Sequence, residues 1–135
     1  MKEKIKKSIV FILPFVWMVL IFYASSRTRV SVSGRYWVSF LFFKTLHVIE
    51  YGILFLLWRF ALYKKSYGVK LAILIAIFYG ITDELHQTFV PTREGAVRDV
   101  LIDSFGIFIF FRFILNKVED LVEKNPFLKQ FLPEK

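Results

Sequence analysis

Long apolar runs separated by short charged segments make up most of the chain. Residues 8–26 carry no charge, and a helix of that length spans the hydrocarbon core of a bilayer. Three further apolar segments follow at about 45–63, 69–88 and 99–115, each with polar residues near one end. A spanning helix tolerates such residues where they face a protein-lined site. The pattern therefore predicts an all-α integral membrane bundle of four transmembrane helices, a single domain over residues 1–135.

Two flanking segments have different patterns. Residues 31–43 begin basic and serine-rich and become aromatic from Tyr36 onwards, which predicts a short interfacial helix because Trp and Tyr favour the membrane surface. Residues 116–135 repeat apolar positions at i, i+3 and i+4 from Val118, which predicts an amphipathic tail, with a frayed terminus as the alternative. The first apolar run is longer than the core of a secretory signal, which favours a retained span.

The composition agrees with a membrane protein. Of the 135 residues 56% are hydrophobic, 17 are Phe, and the mean hydropathy is +0.54. The absence of cysteine excludes a disulfide framework and a thiolate nucleophile. The net charge of +8 is spread between apolar runs and forms no continuous stripe, so it indicates contact with anionic lipid and argues against nucleic acid as a partner.

The basic residues also orient the predicted spans. With four spans, thirteen of the nineteen Lys and Arg residues lie on the same side as the N-terminus and six lie on the other. By the positive-inside rule both termini are cytoplasmic and the loop at 82–99 is external. The predicted location is therefore the plasma membrane, with a multi-pass topology.

This orientation brings ionisable residues of three helices to one depth beneath the external face. The residues are Lys44, His47, Glu50 and Tyr51 on the second span, Asp83, Glu84, His86 and Gln87 on the third, and Asp99 and Asp103 on the fourth. At a rise of about 1.5 Å per residue, each set occupies roughly the outer 10 Å of its helix. Ser25 and Ser26 reach a similar level. Charged groups near hydrocarbon usually face a cavity or each other, so we predict one shared polar pocket.

Glu84 is the exception in this geometry. It points about 100° away from Asp83 around the helix axis, because successive helical residues are separated by that angle. We therefore expect Glu84 to meet solvent or a loop.

Four motifs occur in order along the chain. They are K-x-x-H-x-x-E-Y-x-x-L from Lys44, D-E-x-H-Q from Asp83, P-x-R from Pro91, and D-x-x-x-D-x-x-G from Asp99. Together they resemble the VanZ-like family of small bacterial membrane proteins, whose founding member is associated with teicoplanin resistance. The resemblance covers about residues 9–112 and implies a multi-span helical protein of the bacterial cell envelope, in its cytoplasmic membrane.

The same resemblance implies which positions are characteristic. The polar positions of the family correspond to His47, Glu50, Asp83, Glu84, His86, Gln87, Arg93, Asp99 and Asp103. Two residues depart from the pattern: Thr92 stands where the family commonly has Gly, and Asp103 stands where Asn is frequent.

The preferred hypothesis for the cluster is an outward-facing pocket that binds, with or without modifying, the headgroup of a membrane lipid or a lipid-linked cell-wall precursor. Arginine offers bidentate hydrogen bonds to phosphate, and histidine beside a carboxylate suits proton transfer. The candidates for substrate binding are Lys44, Tyr51, Glu84, Gln87, Arg93, Arg98, Asp99 and Asp103, and those for acid–base catalysis are His47, Glu50, Asp83 and His86. Binding without catalysis is favoured, because no activated Ser or Cys nucleophile is recognisable.

Three alternatives remain at this point. Two His and several carboxylates suit a metal-dependent intramembrane hydrolase or transferase, although no established ligand spacing is present and no cofactor can be assigned. A purely structural bundle would use ion pairs, namely Lys44–Glu50, Arg93–Asp99 and Arg98–Asp103. Proton or ion transport is disfavoured, because the other half of the membrane offers only Arg59 and Arg112 as charges.

Overall fold

The computed structural model describes residues 2–28, 34–63, 65–93 and 95–130, without the side chains of residues 2–7, and this part of the chain contains helices and no strand. The helices are α1 (Lys2–Ser25), α2 (Tyr36–Ala61), α3 (Gly68–Gln87), α4 (Val97–Ile109), a π-helical segment (Phe110–Ile114), α5 (Leu115–Lys124) and α6 (Pro126–Lys129). The predicted all-α class is confirmed.

Helix α2 is the centre of the bundle. It packs against α1, α3 and α4, and α3 also packs against α4. Contacts of Ser25 with Asp83 and of Lys44 with Asp99 show that α1 and α3 finish at the end where α2 and α4 begin. We call this the polar end. The four helices therefore alternate in direction, so that α2 and α4 run parallel.

The opposite end is closed by contacts between α5 and the end of α2. Arg59 Nη2 lies 2.7 Å from Glu119 Oε1. The Tyr63 hydroxyl donates a 2.6 Å hydrogen bond to Glu123, and this bond raises the pKa of Tyr63 above its ordinary value. These contacts attach the C-terminal helices to the bundle.

Gly106 permits the close approach of α4 to α2. A Cβ atom at this position would lie 2.5 Å from the carbonyl oxygen of Val48 and 2.7 Å from its Cα. A larger residue would push the two backbones apart. Because Asp103 and Asp99 lie about one and two turns before Gly106, this approach brings both acids against the first half of α2.

The N-terminal part of α2 differs from the prediction of a separate interfacial helix at 31–43 followed by a span at 45–63. From Tyr36 to Ala61 the chain is one continuous helix. The expected boundary at Lys44 does not form, because the ammonium group is buried against Asp99 and no Pro interrupts the helix. The predicted residues 31–33 lie outside the described residues.

The fourth span and the tail also join differently. Helix α4 passes through the π-helical segment directly into α5, so no boundary occurs at residue 116. The break comes at Asn125, whose side chain accepts hydrogen bonds from the backbone N–H groups of Phe127 (3.0 Å) and Leu128 (3.3 Å). Asn125 thus caps α6. The last predicted tail residues, 131–135, lie outside the described residues.

Apolar side chains cover the outside of the bundle. The segment Ser8–Ser25 of α1 and the whole of α2 are long and apolar enough to cross a membrane, by length and composition. The buried polar and charged side chains of the described residues, by contrast, lie at the polar end: Ser25, Lys44, His47, Asp83, Glu84, Gln87, Asp99 and Asp103. An apolar exterior around an ionisable interior is the reverse of a water-soluble domain and is consistent with a membrane protein.

Candidate functional site

Asp83 joins three helices at the polar end. Its Oδ1 accepts a 2.6 Å hydrogen bond from the Ser25 hydroxyl of α1. Its Oδ2 accepts hydrogen bonds from the Tyr51 hydroxyl of α2 (3.1 Å) and from the Gln87 amide of α3 (2.9 Å). The side chain is almost completely buried, with 2% of Asp83 exposed. This carboxylate is therefore a fully hydrogen-bonded link between α1, α2 and α3.

Two contacts between a basic and an acidic side chain connect α2 to α4. Lys44 Nζ lies 2.5 Å from Asp99 Oδ2, and Arg98 Nε lies 3.3 Å from the other oxygen of the same carboxylate. His47 Nδ1 lies 3.3 Å from Asp103 Oδ1, within ion-pair reach but out of line for a hydrogen bond. Lys44, His47, Asp99 and Asp103 are all buried.

These pairs differ from the ones expected for a purely structural bundle. Lys44 pairs with Asp99, where the sequence suggested Glu50, and Arg98 pairs with Asp99, where it suggested Asp103. The cause is the parallel direction of α2 and α4. Steps of three residues on α2 and four on α4 keep Lys44 opposite Asp99 and His47 opposite Asp103.

Glu84 meets a loop, which was one of its two expected surroundings. Its Oε2 accepts a 3.1 Å hydrogen bond from the Ala96 N–H, just before α4 begins. Glu84 is nevertheless buried, with only 4% exposed, and its Oε1 has no hydrogen-bond partner among the described residues. The loop also approaches α3 closely at Gly95, where an added Cβ atom would collide with the Glu84 carbonyl oxygen.

His47, Glu84 and Asp103 form an acid–histidine triad. Each offers one potential ligand atom, and these atoms all lie within 4.8 Å of one another. His47 Nδ1, Glu84 Oε1 and both carboxylate oxygens of Asp103 are buried without a hydrogen bond among the described residues. One nitrogen and two carboxylates are a donor set that can hold a divalent metal ion.

His86 lies apart from this triad. Its ring stacks on Phe22 of α1, with centroids 4.3 Å apart, and its Nε2 lies 2.9 Å from the Ser26 hydroxyl. The sequence grouped the two histidines as one acid–base set. In the structure His47 faces α4, whereas His86 faces the end of α1.

A cavity of about 110 Å³ lies at the polar end between α1 and α2. We call it the headgroup cavity. It is lined by Ile21, Ala24, Ser25, Phe43, Leu46, His47, Glu50, Asp83 and Arg93. Arg93 is fixed over it by hydrogen bonds to the carbonyl oxygens of Arg27 (2.9 Å) and Ala24 (3.0 Å). Its Nη1 also lies 3.5 Å from Gln87 Oε1.

The size of the cavity limits what can enter it. Pockets for drug-sized ligands measure about 300–1,000 Å³, whereas one water in the liquid occupies about 30 Å³. A space of about 110 Å³ therefore accepts a few waters or one small polar group, such as a phosphate or an ammonium. A whole sugar or peptide would stay outside.

Sequence reasoning missed the contacts that attach α1. The Trp17 indole donates a 3.0 Å hydrogen bond to the Glu50 carbonyl, and the Tyr79 hydroxyl donates a 2.5 Å bond to the Met18 carbonyl. The sequence did offer a signal for these contacts, namely a Trp and a Tyr inside apolar runs. A buried Trp N–H or Tyr O–H usually needs a hydrogen-bond partner.

Thr92 stores backbone strain beside Arg93. Its φ of 69° lies in the left-handed region, which costs a residue with a Cβ about 1–2 kcal/mol and glycine little. Replacing Thr92 with glycine would relieve that strain, but the greater flexibility of glycine in the unfolded chain offsets about 0.5–1 kcal/mol of the relief. We expect Thr92→Gly to raise the free energy of unfolding by about 0.5–1 kcal/mol, measured in detergent by circular dichroism.

Thr88→Gly is the matched control for this substitution. Thr88 has an ordinary φ of −62° and caps α3, so glycine there should lower stability. A Thr92→Gly protein less stable than the parent would show that the loop is not strained at this residue.

These features define a small all-helical protein with an apolar exterior and an ionisable interior at one end. The chain matches the VanZ/LLP1 family model over residues 2–117 and belongs to that family. The resemblance seen in the sequence motifs is thereby confirmed. No curated protein and no solved structure matches the chain significantly.

Proposed function

We propose that this protein crosses the bacterial cytoplasmic membrane four times and binds a phosphate-bearing lipid headgroup at its polar end, which faces the exterior. Both termini are then cytoplasmic, in agreement with the distribution of Lys and Arg. The observation that carries the proposal is the headgroup cavity, with Arg93 and His47 on its wall together with Glu50 and Asp83.

The side-chain distribution of α3 supports a membrane span despite its charges. Its exposed apolar residues recur every three or four positions, at Leu74, Phe78, Ile81 and Leu85, and form one outward stripe. Its acids, Asp83 and Glu84, are buried inside the bundle. Ionisable residues in membrane helices characteristically face the interior in this way.

Helix α4 has the same arrangement. Leu101, Phe105 and Phe108 form its exposed stripe, whereas Asp99 and Asp103 are buried against α2. Since α4 continues through the π-helical segment into α5, the helical rod exceeds the length needed to cross the hydrocarbon core, which takes about 20 residues. The proposed four spans are therefore the two apolar helices α1 and α2 and the two helices α3 and α4, whose acidic side chains are buried inside the bundle.

The charges of the cavity favour a headgroup that carries both signs. Arg93 suits a phosphate, because guanidinium forms geometrically matched hydrogen bonds with its oxygens. Glu50 suits an ammonium group, because its carboxylate carries a negative charge and its side chain lines the cavity. Lys44, an expected anion ligand, is buried against Asp99 and does not line the cavity, whereas Arg93 does, so Arg93 carries phosphate recognition in this proposal.

The cavity takes only the polar group, and the rest of the lipid stays in the bilayer. Ala24 and Leu46 at its rim are exposed on the surface of the bundle, beside Phe43. An acyl or polyprenyl chain can therefore lie along α1 and α2 while its phosphate reaches Arg93. Lipid-linked cell-wall precursors share this chemistry with ordinary phospholipids. Binding of such a headgroup at the outer face is the link that we propose between this chain and the glycopeptide resistance associated with the family's founding member.

Lipid binding to the purified protein tests the proposal. We expect phosphatidylethanolamine, which carries a phosphate and an amine, to bind in native mass spectrometry, and Arg93→Gln to weaken it about tenfold or more. A hydrogen bond to a charged group contributes about 1.5–3 kcal/mol, and about 1.4 kcal/mol corresponds to a factor of ten. Phosphatidylglycerol and a polyprenyl diphosphate in parallel distinguish phospholipid from precursor binding.

Two variants sharpen the result. Glu50→Gln should weaken phosphatidylethanolamine but spare phosphatidylglycerol, because only the former has an amine. Arg112→Gln removes an exposed arginine far from the cavity and should change neither. Equal lipid retention by the Arg93→Gln and Arg112→Gln proteins would refute the headgroup site.

A further inference from the structure

We propose that the acid–histidine triad of His47, Glu84 and Asp103 binds one divalent transition-metal ion, with Zn²⁺ as the best-fitting probe. The triad brings together side chains from α2, α3 and α4 that lie far apart in the sequence. The sequence alone does not identify these three residues as a ligand set, because they belong to three separate motifs.

The first support is the unused hydrogen-bonding capacity of the triad. Buried carboxylate oxygens are nearly always paired, and an unpaired one is costly. Only 4% of Glu84 is exposed, and its Oε1 has no hydrogen-bond partner among the described residues. Both oxygens of Asp103 lack a hydrogen bond as well, and only 2% of this residue is exposed. One ligand atom of each triad residue lies within 4.8 Å of those of the other two, which is an arrangement that a cation can satisfy.

The second support is the charge balance at the polar end. Five carboxylates gather there, from Glu50, Asp83, Glu84, Asp99 and Asp103. Among the described residues, Lys44 and Arg93 are the Lys and Arg side chains that face them from inside, and the largely exposed Arg98 reaches only Asp99. A divalent cation bound to two carboxylates and a neutral imidazole gives a neutral group, which low-dielectric surroundings tolerate better than two buried anions.

The donor set favours a transition metal. Imidazole nitrogen suits Zn²⁺ and its neighbours, whereas Mg²⁺ and Ca²⁺ prefer sites built from oxygen alone. Zn²⁺ binds nitrogen and carboxylate oxygen at about 2.0–2.2 Å, so the three ligand atoms must draw closer by roughly 1 Å. Glu84 Oε1 and both Asp103 oxygens hold no hydrogen bonds to described residues, so a small shift of these atoms breaks none.

Zinc binding to the whole detergent-solubilised protein tests the inference. After loading with Zn²⁺ and desalting, we expect about one zinc per chain by elemental analysis and a higher unfolding temperature. Glu84→Gln should lower the zinc affinity at least tenfold. This variant should still fold, because glutamine retains an oxygen that can accept the Ala96 N–H hydrogen bond. Asp103→Asn should have the same effect through a second, independent position.

His86→Gln is the matched control, since the chain has two histidines and this one lies outside the triad. It should keep the zinc. Absence of zinc from the parent protein overturns the inference, as does equal binding by the parent and the Glu84→Gln protein. Loss of zinc in the His86→Gln protein as well would instead place the ion elsewhere.

The inference does not depend on the proposed headgroup function, although His47 belongs to both sites. Arg93→Gln should weaken lipid binding and leave zinc binding intact, whereas Glu84→Gln should reduce zinc binding in the absence of lipid. The two proposals can therefore fail separately.

Discussion

Lys44→Met is expected to lower the free energy of unfolding by about 3–5 kcal/mol, because it leaves the buried Asp99 carboxylate without its main partner. The ammonium group of Lys44 lies 2.5 Å from that carboxylate, and both residues are buried. The remaining contact from Arg98 is longer, at 3.3 Å, and comes from a largely exposed side chain. Detergent denaturation followed by circular dichroism measures the loss.

The double variant Lys44→Met/Asp99→Leu is the companion measurement. Replacing both members of a buried ion pair with apolar residues is often neutral or stabilising, so most of the lost stability should return. Lys70→Met, at an exposed position of α3, should stay within about 0.5 kcal/mol of the parent. A Lys44→Met protein as stable as the Lys70→Met protein would mean that the ion pair does not hold α2 to α4.

Asp83→Leu is expected to cost about 3–6 kcal/mol, the second large effect. Leucine removes the acceptor of three buried hydrogen bonds, from Ser25, Tyr51 and Gln87. Each buried donor left unsatisfied costs about 1–3 kcal/mol. Ser25 loses least, because its hydroxyl also reaches the Phe22 carbonyl at 3.0 Å. The measurement is again the free energy of unfolding in detergent.

Asp83→Asn separates the hydrogen bonds from the charge. The asparagine oxygen can accept hydrogen bonds from the Tyr51 hydroxyl and the Gln87 amide. Its NH₂ group can donate to the Ser25 hydroxyl, which then donates to the backbone carbonyl of Phe22. We expect this variant to recover at least half of the stability that Asp83→Leu loses. Similar losses in the two variants would show that the negative charge at Asp83, and not the hydrogen-bond network, joins the helices.

These experiments also distinguish structural residues from functional ones. Lys44, Asp83 and Asp99 are engaged in contacts that hold the helices together. The acid–histidine triad keeps buried polar atoms that have no hydrogen bond among the described residues, and Glu50 lines the headgroup cavity. We therefore expect substitutions in the first group to act mainly on stability, and Glu50→Gln or Glu84→Gln to act mainly on binding.

Much of the site could be predicted because helical geometry is regular. Lys44, His47 and Tyr51 lie on one face of α2 by spacing alone, and the structure buries that face. The placement of Glu84 against a loop also followed from its angle around the helix. The prediction of a separate interfacial helix was wrong, and residue spacing could not have revealed the error. Whether a charge ends an apolar helix depends on its partner, and Asp99 lies 55 positions beyond Lys44 along the chain.

The sequence by itself determined the helical class, the family and the set of polar residues, since apolar periodicity and motif order are local properties. Only the tertiary structure decided which of those residues meet. The close approach at Gly106 and the parallel direction of α2 and α4 selected the pairs Lys44–Asp99 and His47–Asp103. Packing between helices also brought Glu84 of α3 to the triad and placed the His86 ring against Phe22 of α1. Such contacts depend on packing distance and register, which no single segment specifies.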